Sequence, residues 1–144
     1  GTEKVALIVA LGTACEIAAR DLDQTKARMR EMRDRLHQGL AAGLAGVRLN
    51  GHPEKRLPNT LSLSFKGVAA DRLLAAIGDE IAASAGAACH ADTVTISHVL
   101  QAMRVPDDWA RGTIRFSVGR TTTEEDIDAA VPAIIRAVKR LQEV

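Results

Sequence analysis

The chain of 144 residues contains no tyrosine, and aromatic residues make up only 2% of it. This scarcity argues against a platform on which nucleic-acid bases or sugar rings could stack. The formal net charge is +1, and acidic and basic residues are interspersed. There is therefore no electrostatic case for binding nucleic acid or an acidic membrane surface, and we expect neither as a partner.

Cysteine is also scarce, with two residues in the whole chain. Two cysteines do not make the disulfide framework of a small secreted protein. Together with a start that lacks a signal-peptide pattern, they favour a reducing, cytoplasmic setting. The most apolar run, 5–11, is far shorter than the roughly 20 residues that cross a bilayer. No zinc pattern, phosphate-binding glycine loop or Ser-His-Asp order is recognisable, and we predict no metal site.

A chain of this length is expected to form a single domain. Two helices are predicted at its start. They cover about 3–20 and about 23–44. The second carries an apolar stripe from Leu22 to Leu44 at three- and four-residue steps, with charged residues opposite. The first is apolar almost all round between Val5 and Leu11, and such a helix is expected to be buried on all sides. We therefore expect it to pack against more of a larger protein or against a partner.

Alternation of apolar and polar residues predicts half-buried strands. These are 60–65 and 113–118, with shorter strands at 47–50 and 81–84. The last helix is predicted to begin with a capping box of Thr122 and Glu125 and to be bent or split at Pro132. The expected fold class is α/β, with a small antiparallel or mixed sheet of about three to four strands packed by helices.

The segment 84–93 has no large apolar side chain and contains Cys89. Its small residues and Gly86 leave the backbone unhindered, so a thiol here can be presented to a reaction partner. A plain surface turn that happens to contain a cysteine is equally compatible with these residues, because most free cysteines have no reactive role and behave as small hydrophobic residues. A nucleophilic thiolate needs a nearby cation or helix N-terminus, and the helix after about Thr95 is a better source than the adjacent His90.

Arg115 is the second candidate, on the polar side of a strand whose other side is apolar. Its guanidinium could bind a carboxylate through two parallel hydrogen bonds, whereas an ordinary surface salt bridge is the simpler interpretation. Cys15, on the apolar first helix, is predicted to be a structural, inert thiol. The residues alone thus indicate a cysteine loop near a possible anion-binding arginine.

Four segments, in order and at matching separations, resemble the C-terminal part of the pyridoxal-phosphate-dependent cysteine desulfurases and selenocysteine lyases of the class V aminotransferase group. They are 1–3 with the apolar helix that follows, 56–65 (RLPNTLSLSF), 84–89 (SAGAAC) with 97–100 (SHVL), and 114–120 (IRFSVGR) with 122–128 (TTEEDID). The resemblance covers essentially the whole chain. Ile96 departs from the family's usual proline, and His90 is commoner in selenocysteine-lyase-like members than in the desulfurases of iron–sulfur assembly.

The resemblance implies a fold-type I enzyme to which 1–22 contributes a linker helix and 23–144 a small domain. It implies that Cys89 takes sulfur from the substrate–cofactor adduct as a persulfide, giving alanine. By the same resemblance, Arg115 binds the substrate α-carboxylate, and Thr2 reaches the cofactor phosphate across a dimer interface.

Pyridoxal phosphate is implied to bind to a large domain outside this chain, because none of its five lysines lies in the family's Schiff-base motif. The chain alone is therefore expected not to turn over substrate. The implied partners are that large domain, covalent or as a split subunit, a second copy in a homodimer, and a sulfur-acceptor protein. Three alternatives stay open: a selenocysteine lyase releasing selenium, a stand-alone sulfur-accepting or partner-binding module, and a structural remnant in which the Cys89 thiol is inert.

Overall fold

The computed structural model describes residues 3–85 and 96–143. Its helices are α1 (Val5–Gly43), α2 (Ala70–Ile77), α3 (His98–Ala102), α4 (Asp107–Ala110) and α5 (Glu124–Gln142). Its strands are β1 (Val47–Leu49), β2 (Thr60–Phe65), β3 (Ser84–Ala85) and β4 (Thr113–Ser117). This mixture of helices and strands confirms the predicted α/β class.

The four described strands form one sheet in the order β1-β2-β4-β3, and every neighbouring pair is antiparallel. The sheet is thus antiparallel rather than mixed, within the predicted range of three to four strands. The strand predicted at 81–84 is misplaced, since β3 covers only Ser84–Ala85. The reason is that the carbonyl of Ile77 still accepts from the backbone N–H groups of Glu80 and Ile81, which prolongs the turn after α2.

One face of the sheet packs against α1, α2 and α5 and forms the main core. The strand side chains on this face are buried and apolar: Leu61, Leu63, Phe65, Ile114 and Phe116. Because side chains alternate along a strand, the intervening residues occupy the opposite face. We call this opposite side the polar face; on β2 and β4 it comprises Thr60, Ser62, Ser64, Thr113, Arg115 and Ser117, and on β1 and β3 it includes Arg48 and Ser84.

α1 is one continuous helix of 39 residues, so the prediction of two helices with a break near Asp21 is wrong. The Asp21 carboxylate does not cap a new helix, because it accepts hydrogen bonds from the Arg20 guanidinium at 2.7 and 2.9 Å. An interior aspartate is only mildly unfavourable in a helix. With a rise of about 1.5 Å per residue, the helix is about 58 Å long.

The two halves of α1 have different surroundings. Its buried residues, Met32, Arg33, Leu36 and Leu40, all lie in the C-terminal half. Residues 3–20 are exposed, and the apolar start, expected to be buried, has exposed fractions of 59–66% at Val5, Leu7, Ile8, Val9 and Leu11. Cys15 is exposed as well, and its interpretation as a structural, inert thiol stays a prediction.

A buried guanidinium ties α1 to the chain that leads into β2. Arg33 is 4% exposed; its Nη1 donates to the Leu57 carbonyl at 2.9 Å and its Nε to Asp34 Oδ1 at 2.8 Å. Arg56 reaches the same Asp34 oxygen at 3.3 Å. These contacts fix the position at which β2, and with it the polar face, begins.

His37 lies one turn beyond Arg33, and burial lowers its pKa, with the positive charge of Arg56 adding to the effect and Asp34 opposing it. The unfolded chain therefore binds a proton more readily than the folded protein as pH falls through the ordinary histidine value of about 6.5. We expect the free energy of unfolding to decrease between about pH 7.5 and about pH 5.5, and to decrease less in His37→Gln.

Denaturant titrations at the two pH values measure this difference. His98→Gln is the matched control, because it also replaces an imidazole by an amide, at a residue that is exposed at the start of α3. An equally steep decrease in His37→Gln and in the wild type would contradict the prediction.

The capping box of α5 consists of Thr123 and Asp126, whose side chains and backbone N–H groups exchange hydrogen bonds of 2.9 and 3.1 Å. The predicted pair of Thr122 and Glu125 is one residue out of place. The Thr122 hydroxyl instead accepts from the Gly119 backbone N–H at 2.9 Å and closes the turn before the helix.

Pro132 does not split α5, which continues through it as a single helix, so the expected split is wrong. A proline removes the backbone donor that would reach the carbonyl four residues earlier, at Asp128. The Asp128 side chain is held by Arg35 of α1 at 2.7 and 2.9 Å, and Ile134, just beyond Pro132, is fully buried. Packing on both sides of the proline thus maintains the helix.

Gly112 lies between α4 and β4 and has no room for a side chain. A Cβ atom there would meet the backbone oxygens of Phe65 and, at 2.6 Å, Val68. We expect Gly112→Ala to lower the free energy of unfolding by about 3 kcal/mol, because backbone atoms cannot turn aside as a side chain can.

The melting temperatures of Gly112→Ala and of a matched control test this prediction. Gly12→Ala is the control, since no atom lies within 4 Å of its Cβ position in α1 and alanine is the better helix former. A Gly112→Ala protein that melts with the wild type would show that the close approach is not as described.

Candidate substrate-binding face

Arg115 is the central charged residue of the polar face. β4 carries it between Ile114, which is fully buried, and Phe116, which is 4% exposed. Arg115 itself is exposed, which confirms its predicted place on the polar side of the last strand. Its guanidinium makes no hydrogen bond or ion pair with residues 3–85 or 96–143.

A serine flanks Arg115 on each neighbouring strand. Ser62 of β2 lies opposite it on one side, and Ser84 of β3 lies opposite it on the other. Directly opposed residues of antiparallel strands project to the same face with Cβ atoms about 5 Å apart. The guanidinium thus stands in a row of three polar residues, with Ser62 half-buried and Ser84 exposed.

Buried hydrogen bonds run along the polar face beside this row. Asn50, just after β1, donates from Nδ2 to Ser64 Oγ at 2.8 Å and to Ser62 Oγ at 3.4 Å. Ser64 Oγ lies 2.8 Å from Thr113 Oγ1, which donates to the Trp109 carbonyl at 3.4 Å. Asn50, Ser64 and Thr113 are 8%, 0% and 1% exposed, so these contacts are shielded from water. Sequence reasoning missed the role of Asn50, which had only been placed at a strand end.

The cysteine segment 84–93 begins on the sheet, next to Arg115. β3 covers Ser84–Ala85, and its Ser84 pairs with Arg115. Cys89 and His90 lie outside the described residues, as does Thr2, and their predicted roles stay predictions. The structure therefore brings the start of this segment to the arginine.

The helix after the cysteine segment begins later than expected, at His98 instead of about Thr95. The Ser97 hydroxyl accepts from the Val99 backbone N–H at 3.3 Å and so caps its first turn. Because this cap already satisfies a donor of a five-residue helix, the helix N-terminus offers less to a thiolate than its sequence position suggested.

A model of the family described as aminotransferase class-V matches residues 1–130, which is most of the chain. The chain belongs to the class-V aminotransferase family. This confirms the resemblance found in its motifs. The family members to which it is similar include a cysteine desulfurase from Pongo abelii, 40% identical over 144 residues that cover 100% of this chain and 31% of the relative. A cysteine desulfurase from Gluconacetobacter diazotrophicus is 39% identical over 145 residues, covering 100% and 36%.

Solved structures agree with this family assignment. A NifS-like protein superposes with a TM-score of 0.81 at 32% identity, over 97% of this chain and 35% of the other. A NifS-like protein from Rickettsia africae superposes with a TM-score of 0.77 at 26% identity, over 100% and 36%. The class-V chain thus has the fold of one portion of NifS-like enzymes, and it spans about a third of the length of the curated relatives above.

The described residues of this class-V chain fit a substrate carboxylate better than a phosphate-bearing cofactor. A groove of about 380 Å³ lies between α1, α5 and residues 80–82, and its described lining includes Glu80 and Asp126 but no lysine or arginine. Asp126 is held as a carboxylate there, because the Thr123 backbone N–H lowers its pKa. An acidic groove does not suit the phosphate of pyridoxal phosphate, whereas the guanidinium of Arg115 suits a carboxylate.

The part of the chain that the structure describes contains no group of three or more metal-ligating side chains. Across 3–85 and 96–143, each helix is too short or too polar to cross a bilayer.

Proposed function

We propose that this chain is the sulfur-handling part of a cysteine desulfurase. The observation that carries the proposal is the placement of Arg115, an exposed guanidinium between two serines on the strand beside which the cysteine segment starts. Relatives that are 39–40% identical along the whole chain are named cysteine desulfurase, which supports the same activity here.

In the proposed reaction, Arg115 binds the α-carboxylate of L-cysteine. Its planar guanidinium offers two parallel donors to the two carboxylate oxygens. The described residues offer it no competing carboxylate, so the substrate is not required to displace an internal ion pair. Binding at this point holds the substrate sulfur near the edge of the sheet at β3.

Cys89 then takes the sulfur. It lies four positions after Ala85 in the sequence, a span of at most about 14 Å, so its thiol stays tethered close to a substrate held by Arg115. The Cys89 thiolate attacks the substrate sulfur, a sulfur–sulfur bond forms, and the substrate carbon–sulfur bond breaks. The electron pair of the broken bond stays with the substrate carbon, which takes up a proton and leaves as L-alanine, while the persulfide stays on Cys89. Pyridoxal phosphate supplies the electron sink for this cleavage when it is bound.

The cofactor is proposed to bind to a larger domain, covalent or a separate subunit, which corresponds to the two thirds of the relatives that this chain does not match. That domain would provide the Schiff-base lysine, so this chain alone would be inactive. Thr2 would reach the cofactor phosphate across a homodimer interface, and the exposed apolar start of α1, from Val5 to Leu11, would pack against the larger domain. A cytoplasmic acceptor protein would receive the sulfur.

Incubating the full-length, cofactor-loaded protein with L-cysteine tests the proposal. We expect L-alanine and sulfide in equal amounts when a thiol reductant is present. Parallel incubation with L-selenocysteine distinguishes the lyase alternative, which predicts release of selenium and no turnover of cysteine. Failure to form alanine from L-cysteine would overturn the proposed activity.

A further inference from the structure

The buried hydrogen bonds of the polar face have one consistent direction. The Trp109 carbonyl can only accept, so Thr113 Oγ1 donates its single proton there, at 3.4 Å. When Thr113 donates to that carbonyl, the 2.8 Å contact between the Ser64 and Thr113 hydroxyls uses the Ser64 proton. Ser64 Oγ can then only accept from Asn50, which identifies the contacting atom, 2.8 Å away, as the amide nitrogen.

Among residues 3–85 and 96–143, this direction leaves the proton of Ser62 without an acceptor. The amide nitrogen of Asn50 carries a second hydrogen, and Ser62 Oγ lies 3.4 Å from that nitrogen. Ser62 thus accepts from Asn50, and it does not donate back, because Asn50 Oδ1 has no partner among the described residues. The free Ser62 proton belongs to a half-buried hydroxyl directly opposite Arg115 on the same face.

We propose that Ser62 is a second substrate-binding residue, whose hydroxyl donates to the same amino-acid carboxylate that Arg115 binds. Asn50 is a positioning residue, because its donation to Ser62 Oγ directs the hydroxyl proton away from the core. The inference rests on the proposed binding of the substrate carboxylate by Arg115. A carboxylate has about four lone-pair sites, of which a two-pronged guanidinium occupies two, and a neutral hydroxyl adds a third contact without adding charge.

Binding of L-alanine, the proposed product, to the full-length, cofactor-loaded protein tests the role of Ser62. The change in cofactor absorbance gives the Kd. We expect Ser62→Ala to raise the Kd about tenfold, the effect typical of a hydrogen bond to a charged group. Ser117→Ala is the matched control, since Ser117 is on the same face but pairs with Thr60 instead of Arg115, and its Kd is expected to stay within about twofold of the wild type.

Measuring Ser62→Ala in an Arg115→Gln background distinguishes a failure of the Ser62 role from a failure of carboxylate binding by Arg115. If both residues bind one carboxylate, Ser62→Ala has a smaller effect there, below about threefold. An equal effect in both backgrounds, or a change below about twofold in the wild type, would overturn the role of Ser62. An unchanged Kd in Arg115→Gln alone would instead overturn carboxylate binding by Arg115 and the function proposed from it.

Asn50→Asp tests the positioning role, because aspartate has the same shape but can only accept. The Ser62 hydroxyl then donates its proton to the aspartate instead of to the substrate carboxylate. We therefore expect the Kd for L-alanine to rise about as much as in Ser62→Ala. In a Ser62→Ala background, Asn50→Asp is expected to have no further effect on the Kd. A merely structural role of Asn50 would lower the melting temperature and leave the Kd unchanged, and that result would exclude positioning.

Discussion

Replacing Cys89 with serine in the full-length protein is expected to stop the formation of alanine from L-cysteine, by a factor of about a thousand or more. A serine hydroxyl is a far weaker nucleophile than a thiolate, and its oxygen cannot hold the transferred sulfur as a persulfide. Binding of L-alanine is expected to be unchanged, because the residue proposed to bind the carboxylate is Arg115 and not Cys89. The initial rate of alanine release is the measurement.

Cys15→Ser is the matched control for this substitution. Cys15 is exposed on the N-terminal half of α1, so its thiol can be alkylated or exchanged but has no part in the proposed reaction. Its replacement is expected to leave the rate of alanine release within about twofold of the wild type. Loss of activity in Cys15→Ser with activity kept in Cys89→Ser would reverse the assignment of the two thiols.

Replacing Arg115 with glutamine is expected to raise the KM for L-cysteine about a hundredfold, through the loss of a charged, two-pronged contact. The neutral amide has neither the charge nor the paired donors of the guanidinium. Arg115→Lys is expected to fall between glutamine and the wild type, because an ammonium keeps the charge but loses the planar fork. Steady-state rates over a range of L-cysteine concentrations separate KM from kcat.

Arg48→Gln serves as the control for Arg115. Arg48 belongs to β1 and lies opposite Ser64, on the same polar face but away from β3. Its replacement is expected to change the KM by less than about twofold. Equal increases in KM for the two variants would mean that the polar face attracts the substrate by its overall charge, without a specific site at Arg115.

The polar face could be predicted from the sequence because it depends on a local rule. Alternation in 60–65 and 113–118 separates buried from polar residues, and it placed Arg115 on the correct side. The Asn50 contacts could not be predicted in this way. They depend on the register of β1 against β2, where the Asn50 backbone N–H donates to the Ser62 carbonyl at 2.9 Å, and register is set by tertiary packing.

The errors along the helices have similar physical causes. Asp21 and Pro132 are helix-breaking signals in isolation, yet both lie inside continuous helices, because a neighbouring arginine binds the Asp21 carboxylate and core packing surrounds Pro132. The apolar residues of the N-terminal half of α1 are exposed in this chain, and their burial against a larger protein or a partner stays a prediction. A residue pattern shows that a surface is apolar but does not identify what covers it.

The claim that Cys89 carries the substrate sulfur is tested most directly by mass spectrometry of the full-length, cofactor-loaded protein after a brief exposure to L-cysteine without reductant. The account predicts that the peptide containing Cys89 gains the mass of one sulfur atom, that a thiol reductant removes it, and that the peptide containing Cys15 is unchanged. Formation of alanine with no added sulfur on the Cys89 peptide would contradict the account.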